Sequence, residues 1–182
     1  RDKKRFVTMP PRVLEMKGEL LDKIEKIGEF SEKSKINIES SSQKSKIGII
    51  TSGVSYLYVM EALKELGLSL PVLKLGFFYP LPVKIIKRFI NPPGGGLKKV
   101  LIVEELEPYL EKEVERLAKT ANCKLEVVGK ELLSQIGEMK PEFVASAIAK
   151  ILGKKVKISD SCVGTEGKFL IPKMKHLARF CP

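Results

Sequence analysis

From Lys46 onward, short apolar runs alternate with longer stretches in which apolar residues return every three or four positions. Lys46-Ile-Gly-Ile-Ile50 is a short run bounded by polar residues and suits a buried strand. Tyr56 to Leu66 places Tyr56, Val59, Met60, Leu63 and Leu66 on one face, which predicts a helix ended by Gly67. Leu70 to Gly76 predicts a second strand, stopped by the proline-bearing stretch Phe77 to Pro82. Val83 to Ile90 predicts a short helix, and Asn91 to Gly96 a loose surface loop. Lys99 to Val103 is the plainest strand of the chain. Leu106, Tyr109, Leu110, Val114, Leu117 and Ala118 then mark an amphipathic helix, whose Glu-rich opening suits the positive end of the helix dipole. Leu125 to Gly129 predicts a fourth strand. Pro141 opens a helix running to Leu152, with Phe143, Val144, Ala147, Ile148 and Ile151 inward, and Gly153 ends it.

Residues 46–152 thus alternate strand and helix four times over. Short strands apolar on both faces, joined by helical crossovers, predict an α/β fold of three αβα layers around a mainly parallel sheet. Residues 1–45 read as a lead-in segment. In it Leu14, Leu20, Leu21, Ile24, Ile27 and Phe30 mark an amphipathic helix lying on a larger body, weakened by Gly18 and Gly28, and residues 35–46 form a Ser/Lys-rich linker. Residues 153–182 lose the periodicity and read as a tail. No apolar run approaches the roughly 20 residues that span a bilayer. The chain opens on Arg1 with no signal-peptide pattern, so it is expected to be a piece of something longer.

The net charge of +11 raises nucleic acid as a partner. Its distribution argues otherwise. Residues 1–46 carry 12 Lys/Arg against 8 Asp/Glu, residues 47–152 carry 14 against 12, and residues 153–182 carry 7 against 2. The regular middle is nearly neutral, whereas a nucleic-acid module puts its basic stripe on the ordered face. Cys123, Cys162 and Cys181 are odd in number and form no CxxC pair, which excludes a disulfide framework and points to a reduced, cytoplasmic setting. With His176 the single histidine, a Cys/His metal site has little to draw on.

Ligands of open parallel sheets sit at the carboxyl ends of the strands. Those ends offer Thr51, Ser52 and Gly53 before a helix, Gly76 to Pro80, Glu104 and Glu105, and Gly129-Lys130. Small residues and backbone N–H groups at Thr51-Ser52-Gly53 suit an anion, but neither GxGxxG nor GxxxxGK[ST] is present, and a structural turn explains the stretch as well. Glu104 and Glu105 are paired carboxylates, yet neighbours on a strand point to opposite faces, which makes a poor acid–base dyad. A helix N-terminal pair or a subunit contact accounts for them more simply. Cys123, after Asn122 at a helix end, reads as a packed thiol. Composition and spacing alone give an α/β domain without an evident catalytic residue or metal ligand.

Three blocks nevertheless resemble a known family. Lys46-Ile-Gly-Ile-Ile-Thr-Ser-Gly-Val-Ser-Tyr56, Val72-Leu-Lys-Leu-Gly76 with Tyr79-Pro-Leu-Pro82, and Val100-Leu-Ile-Val-Glu-Glu-Leu-Glu-Pro108 resemble, in order and spacing, the middle of the alpha subunit of indolepyruvate ferredoxin oxidoreductases, members of the 2-oxoacid:ferredoxin oxidoreductases. Arg1 to Pro10 resembles the segment preceding that domain. Val128-Gly-Lys130 with Gly137-Glu138 and Pro141 resembles its end, and Phe180-Cys181-Pro182 resembles the opening of a following Cys-Pro-Gly-Cys-Pro-His motif.

The resemblance implies a transketolase C-terminal-like domain over residues 46–152, with residues 153–182 leading toward a thiamine diphosphate domain. It implies a parent enzyme that oxidatively decarboxylates indolepyruvate or another aryl pyruvate with coenzyme A, giving the acyl-CoA, carbon dioxide and reduced ferredoxin. That parent would use thiamine diphosphate, magnesium and [4Fe-4S] clusters. Its partners would be the other domains of the subunit, a smaller beta subunit and ferredoxin, with neither nucleic acid nor membrane. This piece would hold no cofactor and act as an inactive scaffold and subunit-contact domain. The same domain could equally come from a pyruvate or branched-chain 2-oxoacid enzyme. A stand-alone module binding a phosphate-bearing ligand at Thr51-Ser52-Gly53 is the reading from another class.

Overall fold

The computed structural model describes residue 6, residues 8–40 and residues 45–153. The tail 154–182, with Cys162, His176 and Cys181, lies outside them. Ten elements follow one another: α1 (Arg12–Lys33), β1 (Ile38–Ser40), β2 (Ile47–Ser52), α2 (Ser55–Glu65), β3 (Val72–Leu75), α3 (Val83–Ile90), β4 (Lys99–Val103), α4 (Tyr109–Ala121), β5 (Glu126–Val128) and α5 (Pro141–Ile151). The sheet has five strands in the order β1-β3-β2-β4-β5. β2, β3, β4 and β5 pair in parallel, with Ile49 opposite Val72 on one side and Leu101 on the other.

Strand alternation sorts the apolar side chains to two faces. Ile49, Val103 and Val128 pack with Val59, Ala62, Val144 and Ile148 under α2 and α5. Ile50, Val100 and Ile102 pack with Ile86, Phe89, Leu110 and Val114 under α3 and α4. Both faces of the central strands are buried, which accounts for their uninterrupted apolar runs and for the three αβα layers. Among the described residues no helix is long and apolar enough to cross a membrane.

Four features depart from the reading of the sequence. Ile38–Ser40, inside the stretch expected as a linker, pairs antiparallel with β3, Glu39 opposite Leu73. Three residues are too few to show a period. α1 does not lie along a body: Leu14, Leu20, Leu21, Ile27 and Phe30 are exposed, and its buried residue is Ser31 near the C-terminal end. The Asn91–Gly96 loop is tethered rather than loose. The Gly95 N–H donates to the Pro92 carbonyl, and the Asn122 amide donates to the carbonyls of Ile90 and Leu97. That inward turn of Asn122 leaves Cys123, expected as packed, exposed.

Candidate functional site

The chain leaves β2 toward β3 on one side and leaves β4 toward β5 on the other, so the topological switch point lies between the ends of β2 and β4. Thr51-Ser52-Gly53 and Glu104-Glu105 both belong to it. The structure places them together at this edge but does not make a crevice of them.

Glu104 is 3% exposed and its carboxylate accepts two backbone N–H groups of α4, Leu110 at 2.7 Å and Glu111 at 2.9 Å. This satisfies donors that a helix leaves unpaired in its first turn. Glu111 in turn accepts the Lys130 N–H at 2.9 Å, and the Lys130 ammonium donates to the Glu104 carbonyl. The three residues close a circuit linking the ends of β4 and β5 with the start of α4. Burial pushes the Glu104 carboxyl up, against the bonds from Glu111 and Leu110 and the charge of Lys130. Burial likewise holds the Lys130 ammonium down, against Glu104, Glu111, Glu105 and Glu107. Glu105 is exposed beside them.

At β2, Thr51 is fully buried and its hydroxyl has no partner among the described residues, while Gly53 takes φ 58° in an exposed turn. α2 starts without a side-chain cap. Lys74, opposite Thr51 in the sheet, holds its ammonium 5.2 Å from the centre of the Tyr56 ring.

The same edge is rimmed by apolar groups. Phe78 packs at a tilt against Tyr109 with ring centres 4.6 Å apart, and Tyr79 beside them is 68% exposed. Phe77 meets Phe30 of α1 edge-to-face at 5.8 Å. Leu106 was expected inside α4, but the helix opens three residues later. Pro108 disfavours a helical Glu107, and Leu106 stands 59% exposed at φ 54°. A non-glycine residue in the left-handed region costs about 1 kcal/mol or more. Phe143, expected inward, is also exposed, as is Ile136. The hollow beside Leu106, Leu133 and Ile136 measures about 10 Å³, room for one water at most. A larger open hollow of about 340 Å³ lies away from this rim, between α4 and β5, lined by Glu115, Lys119, Asn122 and Cys123.

Residues 37–168 match the indolepyruvate oxidoreductase domain. The chain belongs to that family. It is 37% identical over 156 residues to the indolepyruvate oxidoreductase subunit IorA of Methanothermobacter thermautotrophicus, covering 84% of this chain and 25% of that protein. It is 35% identical over 187 residues to the subunit of the same name from Thermococcus kodakarensis, covering 100% of this chain and 28% of that protein. The chain therefore spans about a quarter of the length of the curated relatives it matches. Among solved structures, it resembles a 2-oxoglutarate:ferredoxin oxidoreductase from Magnetococcus marinus with 2-oxoglutarate, coenzyme A and succinyl-CoA bound. The TM-score is 0.51 and the identity 18%, over 79% of this chain and 24% of that one. At that identity the likeness concerns the fold.

Relatives of this family imply thiamine diphosphate with its metal and iron–sulfur clusters. The described residues do not fit these groups. No three His, Cys, Asp or Glu side chains gather to hold a metal among them, and the buried carboxylate of Glu104 is spent on α4. No step of the chemistry is assigned to them.

Proposed function

We propose that this chain is the contact domain of an oxidoreductase that converts indolepyruvate or another aryl pyruvate, with coenzyme A, to the acyl-CoA and carbon dioxide, passing electrons to ferredoxin. Thiamine diphosphate and [4Fe-4S] clusters would sit on other parts of the enzyme, and the partners are those parts, a smaller beta subunit and ferredoxin. One observation carries this reading. The switch-point edge is filled by the Glu104–Glu111–Lys130 circuit, while Leu106 is held out from it, apolar and exposed. A rim of that kind suits a protein surface better than a small molecule. Pyruvate and branched-chain 2-oxoacids are the neighbouring substrate choices, since the substrate pocket would lie on other parts of the enzyme.

The test is anaerobic dye reduction by the complete enzyme with indolepyruvate and coenzyme A. Leu106→Asp is expected to lower the yield of assembled, active enzyme at least tenfold while the 182-residue chain keeps its fold by circular dichroism. Stoichiometric thiamine diphosphate binding by this chain in calorimetry would sink the contact-domain assignment.

A second reading places a phosphate-bearing ligand at Thr51-Ser52-Gly53. The absence of a side-chain cap on α2, where α3 and α4 are capped by Glu32 and Glu104, favours it. A melting temperature that climbs with phosphate and stays flat with chloride would support this reading.

A further inference from the structure

One small hollow gathers an apolar patch with an acidic border. Leu106, Ile136 and Phe143 all line it, and they are 59%, 72% and 38% exposed. The charged residues on the same lining are Glu105 and Glu138. The loop after β4 adds Glu107, and the loop between β5 and α5 adds Glu131. These four carboxylates are exposed, and none makes an ion pair among the described residues. Glu142, half-buried, adds another in the first turn of α5. Against them the two loops carry Lys130, whose ammonium is turned to the Glu104 carbonyl, and Lys140, exposed ahead of α5. In a chain of net charge +11, this edge is acidic where its apolar side chains stand out.

The chain also holds a segment of the opposite kind. Lys168-Phe-Leu-Ile-Pro-Lys-Met-Lys-His-Leu-Ala-Arg-Phe180 lies outside the described residues. In it Phe169, Leu170, Ile171, Met174, Leu177 and Phe180 are interspersed with Lys168, Lys173, Lys175 and Arg179, and no carboxylate side chain follows Glu166. The length between the two suffices. Fifteen residues lead from Gly153 to Lys168, and they reach up to about 50 Å when extended. The 11 residues of α5 measure about 16 Å. The chain can therefore return from the end of α5 to its start, where Phe143 borders the hollow.

We propose that residues 168–180 dock on this patch, setting apolar side chains against Leu106, Ile136 and Phe143 and cations beside Glu105 and Glu138. The proposal rests on the contact-domain reading in that it names what the rim receives, whereas the patch and its charge are argued from this chain alone. Tethering favours this occupant, because a segment of the same chain is held at an effective concentration on the order of millimolar. An anionic small molecule fits poorly, since unpaired carboxylates repel it. The same patch of a second copy fits poorly for the same reason, as acid would meet acid across the axis.

The experiment is photo-cross-linking in the purified complete enzyme, with p-benzoylphenylalanine in place of Leu106 or of Ile136. Both probes are expected to mark residues 168–180 of their own chain, in a product that keeps the mass of one subunit and is located by peptide mapping. Glu105→Lys with Glu138→Lys should cut that product at least fivefold. Adding Lys173→Glu and Lys175→Glu to the same chain should restore at least half of it. Charge reversal that leaves the product unchanged, or a loss that the second pair fails to restore, would overturn the proposal, as would a product on a second copy of this chain. A product elsewhere in the subunit, or on a different subunit, ends the proposal alone and keeps the contact-domain reading. No product from either probe ends both.

Discussion

Glu104 accepts the backbone N–H of Leu110 at 2.7 Å, so the residue that follows β4 caps the next helix. The bond fixes the short loop between them, and that loop carries Leu106. Glu104→Ala removes this acceptor and the one for Glu111, and is expected to cost about 2 kcal/mol. Glu104→Gln keeps one carbonyl and should cost about 1 kcal/mol at neutral pH. Chemical denaturation of the two variants checks the order.

The same carboxylate gives a pH signature. Its burial raises the folded-state pKa above the ordinary 4.5. Just above pH 4.5 the folded chain therefore holds a proton that the unfolded chain has lost. Stability contributed by the protonated form is complete below the unfolded value and is lost as pH rises through the folded one. Wild-type stability minus that of Glu104→Gln should thus decline with rising pH in this window and flatten above it. A difference that grows with pH there would mean that the hydrogen bonds from Leu110 and Glu111 outweigh desolvation.

Leu106 at φ 54° makes few contacts to offset its strained backbone. Leu106→Asn, which tolerates the left-handed region better, should stabilise the chain by about 0.5–1 kcal/mol. That gain should come with weaker assembly of the complete enzyme. A variant that is both less stable and fully assembled would show that Leu106 serves packing within the domain.

Much of this architecture is legible in the sequence because its signals are local. Ile49 and Ile50, Val72 and Leu73, and Val100 to Val103 are buried on both faces, so each shows as an apolar stretch. Pro141 and Gly153 punctuate α5 by backbone chemistry alone. The rim was not legible. Leu106, Phe143 and the stretch from Phe77 to Tyr79 are apolar residues whose exposure is set by where a loop turns, and apolar periodicity assigns such residues to the inside. The cap was half legible: adjacent Glu104 and Glu105 suggested a helix N-terminus, but which of them bonds depends on strand parity at the last pair. α1 misled for the reciprocal reason. Its strip of Leu20, Ile24 and Ile27 is real, and periodicity cannot tell a covered face from an uncovered one.

Two glycines should respond in opposite directions to alanine. A Cβ at Gly76 would stand 2.8 Å from the Ile36 carbonyl oxygen and 2.6 Å from its side chain, so Gly76→Ala must push the entry to β1 away from β3. A loss of about 1–3 kcal/mol is expected. Gly18 lies exposed in the first half of α1 with nothing within 4 Å of an added Cβ. Gly18→Ala should gain about 0.5–1 kcal/mol of local helix stability. Amide exchange along α1 would register that gain as slower opening around residue 18 while global unfolding hardly changes.

Asn37 ties α1 to the rim. Its amide nitrogen donates to the Ser31 carbonyl at 2.7 Å, and its amide oxygen accepts the N–H groups of Gly76 at 2.9 Å and Phe77 at 3.4 Å. One side chain thus holds the end of the helix against the end of β3, next to the Phe30–Phe77 ring contact. Asn37→Ala strands these groups and should cost about 2 kcal/mol. Glu32→Ala, which uncaps α3, should cost about 1 kcal/mol. Both residues anchor the same end of α1, so the double variant should cost less than the two losses added together. Strict additivity in the double-mutant cycle would show the anchors to be independent, and α1 would then keep its seat on the rim when either one is lost.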